Sequence, residues 1–182
     1  MNRLFLLVIP LLFAACAVQK ATSSLEPSTA VVYYKVKLLW QVHTPYCGGA
    51  YPTPEQAMGW DSPLGNQEFV ILHDDHLDLN KEHDLKVYGT DGDGIANLSL
   101  PKGTYYIYRA EKFESIESLE KKYRPTTDKQ MVWSGIECLK QWQSTPELKL
   151  VVEGNMEATI TENAQCFEGT TPCVEYVGPF PP

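Results

Sequence analysis

The chain has 182 residues, 15 Lys+Arg against 23 Asp+Glu, a formal net charge of −8 and 43% hydrophobic residues. That is enough apolar material for one domain with a real core, and too much for a disordered chain. The acidic balance argues against nucleic acid, which calls for clustered cations, and the chain shows neither a Gly-rich phosphate loop nor a catalytic signature.

At the N-terminus Arg3 precedes an apolar run from Leu4 to Phe13, and small residues follow. This is the order of an export signal over residues 1–16, and the run is too short to span a bilayer comfortably. Ala14-Ala15-Cys16 resembles the lipobox of bacterial lipoproteins, which implies lipidation of Cys16 and a membrane contact through that anchor alone. Ala15-Cys16-Ala17 also fits ordinary signal peptidase, with free secretion as the outcome. Residues 17–30 read as a solvated tether, 31–165 as the folded domain, and 166–182 as an extended tail rich in Cys and Pro.

From Ala30 to Val42 the pattern alternates, with Val32, Tyr34, Val36, Leu38, Trp40 and Val42 on one face of a long strand. Residues 43–66 break this regularity with several Pro and Gly. A short helix is expected inside them, with Thr53 as cap, Pro54 at the first helical position and Gln56 closing a capping box. Glu68–Leu72 and Leu85–Thr90 are the next strands. Asp91-Gly92-Asp93-Gly94 supplies a positive-φ turn before the Ile95–Leu100 strand. Pro101-Lys102-Gly103 makes a second turn, with Gly103 in the left-handed region, before Thr104–Tyr108 returns.

Glu111–Arg124 changes period: Phe113, Ile116, Leu119 and Tyr123 mark an amphipathic helix, with Glu117 facing Lys121. Ser134-Gly135-Ile136-Glu137 reads as a capping box for a second helix through Gln143. Leu148–Val152 and Met156–Thr161 are the last strands, around Gly154-Asn155. Seven strands with tight turns predict a mainly β fold, a seven-stranded Greek-key sandwich of transthyretin or immunoglobulin type with two short helical insertions.

Setting Cys16 aside leaves Cys47, Cys138, Cys166 and Cys173, an even number in an exported chain, so two disulfides are expected. Three pairings stand open. Cys166 with Cys173 would close a short loop over Gly169-Thr170-Thr171-Pro172, and Cys47 with Cys138 would then tie an early loop to a late helix.

The run Thr90-Asp91-x-x-Gly94-x-Ala96-x-Leu98-x-Leu100-Pro101-x-Gly103-x-Tyr105 resembles the hairpin of carboxypeptidase regulatory-like domains, shared with transthyretin-like modules. Tyr46-Cys47-Gly48-Gly49-Ala50 and Pro172-Cys173-x-x-Tyr176-x-Gly178-Pro179 resemble uncharacterised exported proteins of Bacteroidetes-type bacteria, lipoproteins among them, that carry such a sandwich. The resemblance implies a fold and a compartment, and no catalytic residue.

Candidate sites fall in loops. Tyr46, Tyr51 and Trp60 sit in the long first loop, where a rigid sandwich displays binding residues. His73, Asp75, His76 and His83, with Asp78 and Asp84, form the richest set of metal-ligand types, suited to zinc or copper, although a polar loop needs no metal to explain it. His43 and Cys47 would suit copper, or a thiol nucleophile, only if Cys47 were reduced. Asp91-x-Asp93-Gly94 has the start of a calcium loop without its remaining ligands. No cofactor is expected. The sequence thus points to a non-enzymatic envelope module, outer-membrane or periplasmic if lipidated, that binds an unknown ligand or envelope protein. Metal binding is the alternative.

Overall fold

A computed structural model describes residues 30–74, 85–125 and 130–179. The export signal, Cys16, the tether up to residue 29, and Asp75, His76, Asp78, His83 and Asp84 lie outside the described residues.

The long alternating segment forms β1 (Tyr33–Thr44), the centre of the first sheet. One edge of β1 is shared by two antiparallel partners placed end to end. β5 (Ile95–Pro101) pairs with Tyr33–Leu39, and β2 (Trp60–Pro63) pairs with Gln41–Thr44. Where they meet, Trp40 N–H donates to Gly94 O and Trp40 O accepts from Leu64 N–H, both at 2.8 Å. The other edge of β1 carries β9 (Met156–Asn163) in parallel, with Val36 opposite Met156 and His43 opposite Asn163. The second sheet is antiparallel throughout, in the order β4 (Val87–Gly89), β3 (Glu68–His73), β6 (Gly103–Arg109), β8 (Leu148–Val152).

The inward faces follow the period of two that a strand imposes. Val36, Leu38, Trp40, Ala96, Leu98, Leu100 and Ile160 from the first sheet meet Phe69, Tyr105, Ile107, Leu150 and Val152 from the second. Trp40 and Phe69 are fully buried, their ring centroids 5.7 Å apart. The molecule is therefore a mainly β sandwich, as the alternation predicts. All seven expected strands are present. Three more join them: β2, and β7 (Met131–Trp133) paired with β10 (Val174–Tyr176) in a small separate sheet.

The corners differ from expectation. Asp91–Gly94 leads from β4 to β5, Lys102 from β5 to β6, and Gly154-Asn155 from β8 to β9, and each pair of strands lies in different sheets. These turns cross the sandwich instead of closing hairpins. Gly94 has φ +74°, as a positive-φ turn requires, whereas Gly103 is ordinary extended backbone and begins β6. At 103 the restriction is space beside a side chain: a Cβ there would lie 2.5 Å from His73 Nε2.

The helical insertions are α2 (Ile116–Tyr123) and α3 (Ile136–Ser144). The expected single helix from Glu111 is a 3-10 turn over Ala110–Phe113, then a break at Ser115, whose hydroxyl accepts from Ser118 N–H and caps α2. At α3 the cap is Gly135 (φ +94°), with no side-chain cap bond, so the Ser134/Glu137 capping box does not form. Ser134 N–H donates instead to Cys173 O.

Two disulfides join the four cysteines, Cys47 to Cys166 and Cys138 to Cys173. The short Cys166–Cys173 loop is not the one closed. The register of β1 on β9 explains the first pair: His43 lies beside Asn163, so the two chains leave the sheet together and bring the cysteines face to face. The second follows from β7–β10 pairing, which sets Cys173 against the start of α3.

Candidate functional site

The loop between β1 and β2, residues 45–59, projects from one end of the first sheet, and several local devices hold it. At its root His43 and Asp61 are cross-strand partners, Nδ1 to Oδ1 2.7 Å. Gly59 lies tight against this base: at φ +67°, a Cβ would sit 2.4 Å from Thr44 O and 2.9 Å from His43 Nε2. The Cys47–Cys166 disulfide pins the first turn to the segment after β9. The middle is ordered by α1 (Pro54–Ala57), where the expected capping box forms: Thr53 Oγ1 accepts from Gln56 N–H and Gln56 Oε1 from Thr53 N–H.

The three aromatic candidates divide. Tyr46 folds back on its own loop, its hydroxyl donating to Ala50 O at 3.3 Å and its ring filling the space beside Gly48. Tyr51 is fully exposed, Trp60 is 55% exposed, and Met58 between them in sequence is 69% exposed. Glu55 and Asp61 are the acidic residues of 43–66, with no Lys or Arg among them. A backbone N–H and the Thr53 hydroxyl hold the Glu55 carboxyl below its ordinary range, so it is anionic at neutral pH. The loop is a covalently fixed, aromatic and acidic surface.

Cys47 is oxidised, which removes it as a nucleophile or thiolate ligand. Among the described residues no group of three or more His, Cys, Asp or Glu side chains gathers as a metal site would need. His43 is engaged with Asp61. His73 is half-buried at the end of β3, its ring edge-on to Tyr105 at 5.1 Å.

A second constellation escaped the sequence reading. At one end of the core, Glu162 on β9 accepts from Trp40 Nε1–H at 2.6 Å and pairs with Arg109 at the end of β6. Arg109 also pairs with Glu111. Lys112, almost wholly buried in the 3-10 turn, pairs with Glu147 at 2.6 Å, donates to Thr145 O and lies over the Trp142 ring. Glu111 further accepts from Lys122 and Tyr123. Burial pushes the Lys112 ammonium below its usual pKa despite Glu147. A cavity of about 380 Å³ opens beside this group, lined by Gln67, Glu68, Arg109, Glu111, Glu114 and Lys122. A period-two signal exists for two members: Arg109 continues the inward face of Tyr105 and Ile107, and Glu162 that of Ala158 and Ile160. Three acids here meet three cations, which closes the end of the core electrostatically.

No protein-family model matches the chain, and no curated protein matches it. Among solved structures it is similar to a minor pilin of Streptococcus agalactiae (13% identity, TM-score 0.35), covering 73% of this chain and 44% of the pilin. It is similar to a major pilin subunit of Bacillus cereus (14%, TM-score 0.34; 76% and 30% covered). It is also similar to a DUF3823 family protein from Parabacteroides merdae (12%, TM-score 0.31; 70% and 45% covered). The chain spans less than half the length of each.

Proposed function

We propose that this chain is an exported, non-enzymatic binding module whose disulfide-fixed 45–59 loop, with Trp60, presents an acidic aromatic surface to a cationic protein segment. The observation that carries this reading is Tyr51, fully exposed on a loop that one disulfide, one capping box and the His43–Asp61 pair keep in place. Ordering a loop before binding lowers the entropy lost on association. Aromatic faces attract ammonium and guanidinium groups, and Glu55 and Asp61 add the complementary charge. Two disulfides support an oxidising compartment, hence export. Lipidation at Cys16 would place the module on a membrane surface, and intact mass of the mature protein tests it.

The binding test uses a fluorescein-labelled Lys/Arg decapeptide as probe, read by anisotropy. Tyr51→Ala with Trp60→Ala is expected to weaken binding about tenfold and leave the thermal midpoint within a few degrees, consistent with ~1–2 kcal/mol for paired aromatic–cation contacts. Affinity should also fall steeply with salt. Binding that ignores both substitutions, or that prefers a neutral oligosaccharide, overturns the assignment.

A further inference from the structure

The Cys47–Cys166 disulfide changes the path by which the molecule would carry a pull. β1 enters the sheet at Tyr33 and leaves at Thr44, and Cys47 follows three residues later. β9 runs beside it in the same direction and leaves at Asn163, with Cys166 three residues on. The bridge joins positions 119 apart. A force applied between residue 31 and the segment after Cys166 therefore has a short covalent route: along β1, across the sulfur bridge, and out through 166–179. Residues 48–59 of the loop, the second sheet, the helices and β9 lie off that route, which leaves through β10.

The state of β1 makes the route stiff. A strand is already close to full extension, so tension along its own axis finds little slack. Force enters at one end of β1 and leaves at the other, and the hydrogen bonds to β2, β5 and β9 carry almost none of it. Without the bridge the same force would leave through β9. β1 and β9 would then be sheared past each other, and rupture would release the whole intervening chain.

We propose that the molecule works as an inextensible link, passing tension from its N-terminal to its C-terminal side without exposing its core. This function is separate from loop recognition and needs no partner on the loop. The second disulfide, Cys138–Cys173, does not shorten the route, since the chain from 166 to 173 already carries it.

The two bridges therefore give opposite expectations in single-molecule stretching of the full chain, held by handles at both ends. The oxidised protein should show no long release. The Cys47→Ser/Cys166→Ser variant, still closed over the 35 positions between Cys138 and Cys173, should rupture and lengthen by about 290 Å more than the wild type. The Cys138→Ser/Cys173→Ser variant should match the wild type in total extension. Should the first variant not fold, wild type stretched in a phosphine reductant supplies the same comparison, with a release larger by about 400 Å. A long release from the oxidised wild type overturns the proposal. So does an unchanged extension after loss of the Cys47–Cys166 bridge.

Discussion

A methyl group placed on Gly94 would lie 2.3 Å from Trp40 O, in a backbone already at φ +74°, whereas one on Gly103 would meet side chains, the His73 ring at 2.5 Å and Tyr105 at 3.4 Å. The first obstacle is a strand carbonyl that cannot move without breaking β1 pairing, and the second is a side chain that can turn. Gly94→Ala is therefore expected to cost roughly 3 kcal/mol or more and Gly103→Ala about 1 kcal/mol, read by urea unfolding. His73→Ala should recover most of the Gly103→Ala loss. Glu111 illustrates the opposite kind of constraint. Burial raises its pKa, but hydrogen bonds from Lys122, Tyr123 and Arg109 outweigh this and leave it below the ordinary value of 4.5. The folded state then binds the proton less readily than the unfolded chain. The stability Glu111 contributes is present above about pH 4.5 and drains away as pH falls through the lower folded value. Glu111→Gln should flatten the acid limb of a stability–pH profile measured by urea unfolding.

The corners carry the next level of information. Asp91 Oδ1 accepts from Asp93 N–H at 3.0 Å and Ile95 N–H at 2.8 Å, while Asp91 N–H donates to Ile95 O. Asp91→Ala removes both side-chain bonds and is expected to lower stability by about 1–2 kcal/mol, measured by thermal or urea unfolding. The turn itself was legible in the Asp/Gly spelling, β1 in its alternation, and the other expected strands as short runs between turn residues. Which sheet each strand joins was not, because a turn's residues fix its dihedrals and not the partner beyond it. β7 and β10 were missed because three residues show no period. The apolar spacing over 111–124 predicts one helix because it runs through Glu114, which closes the 3-10 turn, and Ser115, which caps the next segment. The exposed loop aromatics were visible as candidates, but the inward turn of Tyr46 depends on the empty space at Gly48. The ionic cluster stayed hidden because Lys112 and Glu111 read as the polar face of a helix that does not form there.

Across the whole molecule the disulfides rank by the chain they close. Removing Cys47–Cys166, over 119 positions, is expected to cost about 4–5 kcal/mol, and removing Cys138–Cys173, over 35, about 3–4 kcal/mol. Comparing Cys→Ser pairs by urea unfolding tests that order. Sheet pairing sets a further order, in time. The central strand, near the N-terminal end of the sandwich, needs as its parallel neighbour the strand that is synthesised last among the two main sheets. No partial chain ending before residue 156 can complete the first sheet, so compaction waits for nearly the entire domain to emerge. Such a polypeptide stays threadable while it is being made and acquires its shape late. A ribosome-bound intermediate lacking Met156–Asn163 should accordingly remain protease-sensitive, and the same nascent chain extended beyond Cys173 should become resistant once oxidised.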